Sequence, residues 1–329
     1  MFPGLVDLAF SDVNISQSWN SLTRPCLIAL TTIICTAGIF GNSIVLYGSV
    51  KHNALKLDTV SRFLIQTLAV WDLLAVTLVY STMLVTLITH SWVLGSVLCF
   101  VTGRAGYLIV MNQVWVILAL SLYRAWRLKQ PKGRRLDVKV MYLMEGTFGV
   151  LSVVLTLISM MARPVVYLPS QLTCLTGDLY TKNGRYLAIC LQFIPLIIIL
   201  FLNKYIQVTV YRTNRRNKKS VYNVRKPLLM LTVMTYIQLL SLVPINSFVI
   251  MQSLDYVHSV KSTLDKIINW FPLFSMYIVS LNSCSNFFIY FWTNKRFKVF
   301  TTNLITCQRN RTDVASVADT ADMDLATRT

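Results

Sequence analysis

Charged residues are scarce in this chain of 329 amino acids. Asp, Glu, Lys and Arg together make up 13% of it, whereas hydrophobic residues make up 55%. Soluble chains are about one quarter charged, so this one lacks the polar side chains needed to cover a surface that faces water. The shortage excludes the pair of soluble domains that the length alone would suggest, and it indicates that a lipid bilayer is the solvent.

Acidic residues and histidines are especially few. The 13 Asp and Glu residues are outnumbered by 31 Lys and Arg residues, which gives a net charge of +18. The basic residues fall between apolar segments, which favours a membrane face over nucleic acid as their partner. His52, His90 and His258 lack metal-ligand spacing, and the sequence contains no hydrolase, kinase or dinucleotide-binding motif. We therefore predict neither an enzyme nor a nucleic-acid-binding protein.

Long apolar runs take up most of the chain. A helix needs roughly 20 apolar residues to cross a bilayer core, and seven stretches are long enough. They cover residues 27–50, 62–87, 97–126, 140–162, 186–211, 227–251 and 267–292. No Gly/Ser linker or internal repeat divides them. The predicted fold is an all-α membrane protein, with a seven-transmembrane bundle over residues 27–292.

The loops between these runs predict the orientation. The loops and tail on one side carry 23 Lys and Arg residues, against seven on the other. Since cytoplasmic loops are enriched in basic residues, residues 1–26 are expected outside the plasma membrane and the C-terminus in the cytosol. Asp7 and the lack of a basic start disfavour a cleaved signal peptide. Asn14, in Asn14-Ile15-Ser16, is a glycosylation candidate on the outer side, although such triplets also occur by chance.

One carboxylate lies in the middle of an apolar run. Asp72 stands in "LAVWDLLAV", and a charge at the centre of a bilayer costs at least about 2.5 kcal/mol. It is therefore expected to face the bundle interior and to have polar partners. The candidate partners are Asn42, Asn282, Ser283 and Asn286. Such a network suits interhelical hydrogen bonding, a cation site or a conformational switch.

Cysteines outside the spans or at their ends are candidates for modification or for a disulfide. Cys99 and Cys174 are expected on the outer side, where disulfides persist and where a bridge would tie a loop across the bundle. Cys307 follows the basic, apolar stretch "NKRFKVFTTNLIT". It is a candidate for palmitoylation, and a free cytosolic thiol is the equal alternative.

Prolines within the spans are candidates for helix bends. Pro195 and Pro244 each remove a backbone donor, and each is expected to bend its helix. Bends of this kind often mark moving parts, although many are purely structural.

A series of motifs, in order and in register with the spans, resembles the class A (rhodopsin-like) G-protein-coupled receptors from about Gly41 to Cys307. Arg124 follows Cys99 by 25 positions, the family's spacing, which spans about 37 Å in a helix. The motifs are Gly41-Asn42, Leu68 to Asp72, Cys99, Arg124 with Pro131, Cys174, Pro195, Pro244, and Asn282 to Tyr290 with Phe297.

The resemblance implies a receptor that binds an extracellular ligand and activates a heterotrimeric G protein. Cys99 and Cys174 would form the outer disulfide, and Arg124 would contact the G protein once the sixth span swings outward. Tyr290 would swing inward during activation. A sodium-type pocket would be lined by Asp72, Asn282, Ser283 and Asn286.

The resemblance also implies features of the chain after the seventh span. Residues 293–306 would contain a short amphipathic helix on the membrane surface, over 294–305, with Phe297 buried. Residues 307–329, low in aromatics, are predicted to form a disordered cytoplasmic tail. Sites for arrestin capture would be Ser316, Thr320 and Thr327.

Several positions depart from the family pattern and put its standard activation mechanism in doubt. The family's Asp-Arg-Tyr reads Tyr123-Arg124-Ala125, and residues 212–250 contain no Asp or Glu. Arg124 therefore lacks its usual acidic restraints, and we predict raised basal signalling. The other departures are Phe287 for a proline, Leu242 for the toggle tryptophan, Asn203 for a tyrosine, Gln113 for a serine, and a fourth span without tryptophan.

The ligand is constrained mostly by exclusion. Gly106 stands where amine receptors carry an aspartate, and Ser280 where opsins carry the retinal lysine, so both ligand classes are disfavoured. Basic and aromatic residues at the outer ends suit a peptide or an acidic ligand, or serve as interface anchors. They are Arg104, Tyr107, Arg163, Asp265, Lys266, Asn269 and Trp270.

Two other functions remain open. A receptor-like protein that has lost G-protein coupling would keep the same fold. A transporter or channel is less favoured, because paired broken helices in two halves are not evident. The basic third inner loop, 212–226, suits transducer docking and anionic membrane lipids alike.

Overall fold

A computed structural model describes residues 23–51, 54–55, 57–129, 138–162, 165–168, 172–176, 182–216, 232–245, 247 and 264–306. Asn14, Pro131, Cys307 and the predicted disordered tail lie outside these residues.

The described residues form eight helices and one hairpin of two strands. The helices that correspond to the predicted spans are α1 (Thr23–Lys51), α2 (Thr59–Thr89), α3 (Gly95–Lys129), α4 (Val138–Ala162), α5 (Lys182–Arg216), α6 (Thr232–Ile245) and α7 (Leu264–Thr293). The strands are β1 (Val165–Leu168) and β2 (Thr173–Thr176), and the last helix is α8 (Lys295–Ile305).

The seven-helix architecture predicted from the apolar runs is confirmed. Each predicted span coincides with one of α1 to α7, and the described part of α6 covers the middle of the predicted 227–251. Among the described residues, four stretches are long and apolar enough to cross a membrane. These are Thr23–Lys51, Thr59–Thr89, Gly95–Lys129 and Cys190–Arg212.

Helix α3 lies at the centre of the bundle. It packs against α2, α4, α5 and both strands, whereas α1 packs against α2, α7 and α8. Its buried residues run from Cys99 to Ala125 on all sides of the helix, as expected for a helix with neighbours all round. We call the end of the bundle that holds Cys99 the disulfide end, and the end that holds Arg124 the arginine end.

Helix α2 contains a π-helical segment that the sequence analysis did not anticipate. Residues Ala75–Tyr80 are π-helical, between α-helical Thr59–Leu74 and Ser81–Thr89. Such segments leave some carbonyl groups without their α-helical partners. Hydroxyl groups supply replacement donors here: Thr77 Oγ1 donates to the Leu73 carbonyl at 2.7 Å, and Thr82 Oγ1 donates to the Leu78 carbonyl at 3.0 Å.

The hairpin is held against α3 at the disulfide end. Its strands are antiparallel, with Tyr167 opposite Cys174. A Cβ atom added to Gly103 would lie 2.7 Å from Val165 Cγ1 and 3.2 Å from the Cys174 backbone, so only glycine permits this close approach. Leu172 precedes β2 with a positive φ of 57°, and its buried side chain joins the cluster that contains Leu273 of α7.

The turn into α8 is fixed by a side-chain cap. Asn294 Oδ1 accepts hydrogen bonds from the backbone N–H groups of Arg296 and Phe297, both at 3.1 Å. This is the preferred way to satisfy the free donors at a helix start. Phe297 is fully buried, as predicted, and its ring packs edge-on against Tyr290 with the ring centroids 6.0 Å apart. The location of α8 on a membrane surface stays a prediction.

Candidate functional site

Asp72 lies at the centre of a buried polar cluster and is 0% exposed. Its Oδ1 accepts a hydrogen bond from Gln113 Nε2 at 2.8 Å, and its Oδ2 accepts one from Asn286 Nδ2 at 2.7 Å. Ser283 contributes a further side-chain hydrogen bond to the carboxylate. Helices α2, α3 and α7 therefore meet at one acid, which is the arrangement expected for a carboxylate within a bundle.

Two of the predicted partners of Asp72 have other roles. Asn42 donates to the Ser283 carbonyl at 2.7 Å and to the Gly38 carbonyl at 3.0 Å, so it ties α1 to α7. Asn282 is buried, but its side-chain oxygen has no hydrogen-bond partner among the described residues. The structure thus brings Asp72, Ser283 and Asn286 together, adds Gln113, and leaves Asn282 outside the hydrogen bonds to Asp72.

Arg124 lies near the end of the buried part of α3 and has an unsatisfied guanidinium group. The residue is 4% exposed, and its three side-chain nitrogens have no hydrogen-bond partner in the described part of the chain. Tyr290 of α7 is close enough to interact with it electrostatically, and the Tyr290 hydroxyl is buried without a partner among those residues. Both amide atoms of Asn203, on α5, are in the same condition. Buried groups of this kind are costly, so they call for partners that another state or bound water supplies.

The acid nearest this arginine bonds to its neighbours instead. Asp58, the N-cap of α2, accepts a hydrogen bond from the Tyr123 hydroxyl at 2.6 Å and an ion-pair contact from Arg127 Nη1 at 2.7 Å. Its two oxygens also accept from the hydroxyl and backbone N–H of Ser61, at 3.0 and 3.3 Å. Tyr123 stands where the family has its aspartate. The acid at this end of the bundle is therefore Asp58 at the start of α2, and not a residue of α3.

An aromatic cluster occupies the position of the family's proline on α7. Phe287 packs against Phe291 and Phe297, with ring centroids 6.0 Å apart in each pair. A Cβ atom added to Gly41 of α1 would lie 2.7 Å from Phe287 Cβ. The glycine of the "GN" motif therefore lets α1 approach α7 where the substituted phenylalanine lies.

The helix-bending candidates and the toggle position lie in α5 and α6. Helix α5 continues past Pro195 to Arg216, and Pro244 lies near the edge of the described part of α6. Leu242 is buried in a cluster with Ile199 of α5 and Val279 of α7. The bends at the two prolines stay predictions.

The predicted disulfide is confirmed. Cys99 and Cys174 are bonded, with their Cα atoms 5.4 Å apart, and the bond joins α3 to β2. Of the seven candidate ligand-facing residues, Arg104 and Tyr107 have side chains that the structure describes. Arg104 is buried and its guanidinium carbon lies 5.7 Å from the centre of the Phe100 ring.

The sequence carried signals for the two residues whose roles were missed. Gln113 was identified only as a departure from a serine, although a long amide on the central helix is an obvious donor for a buried acid. Asp58 precedes Thr59 and Ser61, a pattern typical of a helix N-cap. Its position beside Tyr123 depends on how α2 and α3 pack, which local sequence does not specify.

Comparison with known proteins agrees with this geometry. Residues 41–290 match the family profile described as 7 transmembrane receptor (rhodopsin family). The chain is 24% identical to a RYamide receptor of Tribolium castaneum over 297 residues, which cover 82% of this chain and 77% of the relative.

Two further relatives show similar identity. The chain is 22% identical to the Tachykinin-like peptides receptor 86C of Drosophila melanogaster over 292 residues, with 82% of this chain and 56% of the relative covered. It is also 22% identical to the Melatonin receptor type 1C of Xenopus laevis over 298 residues, with 87% of this chain and 68% of the relative covered.

Proposed function

Because this chain belongs to the rhodopsin family of seven-transmembrane receptors, we propose that it binds an extracellular ligand and activates a heterotrimeric G protein at its arginine end. Such a receptor catalyses nothing itself, since a ligand favours the active arrangement by binding it more tightly than the resting one. Movement of the helix ends around Arg124 would then create the surface that the G protein contacts.

The observation that carries the proposal is the buried guanidinium of Arg124, which has no hydrogen-bond partner among the described residues. A buried cation without hydrogen bonds is destabilising, and a chain that needed only a membrane-edge arginine would leave it in water. The neighbouring acid Asp58 bonds to Tyr123 and Arg127, so it leaves Arg124 available. Opening of the arginine end would give this group partners on the G protein, and the cost of burying it at rest favours that opening.

The proposed orientation places the N-terminus outside the plasma membrane and the C-terminus in the cytosol. It is supported by the basic loops on the side of Arg124 and by a disulfide at the opposite end, because disulfides persist outside the cell. Arrestin and anionic membrane lipids are the further partners proposed for the cytosolic side.

A peptide is the ligand class that we favour. Of the three relatives, one is by name a receptor for tachykinin-like peptides, one is a RYamide receptor and one is a melatonin receptor. The hairpin packs on α3 at the disulfide end, and Leu172 next to it is buried in one cluster with Ile109 of α3 and Leu273 of α7. A ligand that approaches from outside meets this hairpin first, and an extended peptide has the backbone groups to pair with a strand edge.

Measurement of basal G-protein activation in cells tests the proposal. We expect signal from the native chain and its loss in Arg124→Ala at equal surface expression. Arg127→Ala is the matched control, because Arg127 is the same residue type one turn further on and is exposed. Equal signal in the native chain and in Arg124→Ala contradicts a working role for Arg124.

A receptor-like protein without coupling is the second candidate. The tyrosine at position 123 and the phenylalanine at position 287 favour it, because both replace parts of the family's activation machinery. Purified receptor in lipid nanodiscs, mixed with representatives of each G-protein class, distinguishes the two candidates. Nucleotide exchange above the receptor-free rate supports coupling, and exchange at that rate with every class supports the second candidate.

A further inference from the structure

The resemblance implies a sodium ion beside Asp72, and the residues around this acid can be tested for their fit to one. A hard cation binds to oxygen ligands such as carboxylates, carbonyls and hydroxyls. Here the carboxylate faces two amide N–H donors, from Gln113 at 2.8 Å and from Asn286 at 2.7 Å, together with the Ser283 hydroxyl. The hydroxyl oxygen alone suits a cation. Each carboxylate oxygen is held by an amide N–H group, whose positive end repels a cation, so this set of side chains does not fit the ion.

The orientation of the Gln113 amide follows from its partner. Nε2 lies 2.8 Å from Asp72 Oδ1, and an amide oxygen in the same place would oppose a negative oxygen. The contact is a direct hydrogen bond, with no room for a third atom between the two. Asp72 and Gln113 are 0% and 3% exposed, so bulk solvent does not compete for either group.

The length of the side chain explains why this contact forms. A serine at position 113 would end one carbon from the backbone, and would leave a gap between α3 and α2 with a hydroxyl oxygen at its edge. Glutamine fills this gap and donates one hydrogen bond from Nε2 to the carboxylate. This bond is charge-assisted, which is the stronger class of hydrogen bond in proteins.

We propose that the Gln113 amide takes the place of a cation at Asp72, so that the pocket is closed to sodium and the stability of the resting bundle does not depend on this ion. The amide is permanently attached, so its contribution does not vary with the sodium concentration. The proposal concerns ion binding and holds whether or not the chain couples to a G protein.

Thermal unfolding of the purified chain in lipid nanodiscs tests it without any signalling readout. The midpoint is compared in sodium chloride and choline chloride at matched concentrations of about 150 mM, so that screening is equal. We expect no sodium-specific shift for the native chain. We expect the midpoint of Gln113→Ser without sodium to be lower than that of the native chain. Its midpoint should then rise with the sodium concentration, because a ligand that binds the folded state stabilises it.

Control variants make either result decisive. Gln207→Ser removes an exposed glutamine that bonds to Tyr236, and it should respond like the native chain. Asp72→Asn added to Gln113→Ser should abolish the gained sodium response. Gln113→Ala opens the same space, and it replaces Gln113→Ser in the sodium measurement if the serine variant does not fold.

Two results would overturn the proposal. One is a sodium-specific shift in the native chain that Asp72→Asn removes, which would mean that the ion binds despite the amide. The other is the absence of a sodium response in both the serine and the alanine variants, which would mean that Gln113 does not exclude the ion.

Discussion

The hydroxyl of Tyr123 donates a 2.6 Å hydrogen bond to Oδ2 of Asp58, and so joins α3 to the first turn of α2. In the family pattern the residue at position 123 is an acid beside the arginine. Here it is the donor, and the acid belongs to the neighbouring helix. This exchange keeps α2 and α3 tied together, while the Arg124 guanidinium donates no hydrogen bond to the described residues.

Tyr123→Phe should weaken the contact between these two helices. A hydrogen bond to a charged group contributes about 1.5–3 kcal/mol, and Asp58 keeps Arg127 and Ser61 as partners, so we expect the lower end of that range. The measurement is the thermal midpoint of the purified chain. Tyr211→Phe, which removes an exposed hydroxyl on α5, is the control.

A double-mutant cycle with Asp58→Asn assigns the effect to the pair. The coupling between the two changes should be positive and of order 1 kcal/mol. Independent, additive changes would show that the hydroxyl is not bonded to Asp58 in solution.

Arg124→Leu should raise the thermal midpoint rather than lower it. Replacing a buried charge that has no hydrogen-bond partner among the described residues with an apolar side chain removes a desolvation cost, and such replacements are often stabilising by about 1–4 kcal/mol even for paired charges. Arg127→Leu should be neutral or slightly destabilising, because that residue is exposed and paired with Asp58. A clear fall in the midpoint for Arg124→Leu would mean that the guanidinium has partners at rest.

Gly41→Ala should destabilise the bundle at the contact between α1 and α7. The added methyl group would lie 2.7 Å from Phe287 Cβ, an atom next to the backbone that cannot move aside cheaply. Overpacking of this kind costs about 1–3 kcal/mol, against about 1 kcal/mol gained by replacing a helical glycine.

Gly149→Ala on α4 is the matched control for that prediction. Its added methyl group meets nothing within 4 Å, so the helix-propensity gain should appear alone as a neutral or higher midpoint. Similar behaviour of the two variants would show that α1 does not approach Phe287 this closely.

Replacing Cys99 and Cys174 together with serine should destabilise the chain strongly. The bond spans 75 residues of sequence, and closing a loop of that size stabilises by about 4 kcal/mol in the chain-entropy account. Thermal unfolding and binding of a conformation-sensitive antibody to the disulfide end would both report the loss. Cys190→Ser, which removes an exposed free cysteine, should change neither, and an unchanged midpoint in the double variant would contradict the prediction.

The features that the sequence predicted correctly are those set by composition and by position along one helix. Seven apolar runs predict seven helices because a single segment inside a bilayer can satisfy all its backbone hydrogen bonds within itself only as a helix. Cys99 and Arg124 lie at opposite ends of α3 because 25 residues of helix reach across the membrane. Asn294 and Phe297 sit in a short stretch where the cap and the buried ring follow from local spacing.

The features that only the tertiary structure decided are contacts between helices that are distant in sequence. Asp58 at the start of α2 bonds to Tyr123 because α2 and α3 pack side by side. Gln113 reaches Asp72 because the rotation of α3 about its axis turns this side chain toward α2. The π-helical segment Ala75–Tyr80 contains neither glycine nor proline, so no local signal announces it. The sequence by itself determined the number of apolar helices, their positions along the chain to within a few residues, and the burial of Asp72 and Phe297. Packing between helices decided which donor meets which acid. A hydrogen bond requires its two atoms to lie within a few tenths of an ångström of the ideal distance, and residue spacing along one helix does not specify that distance.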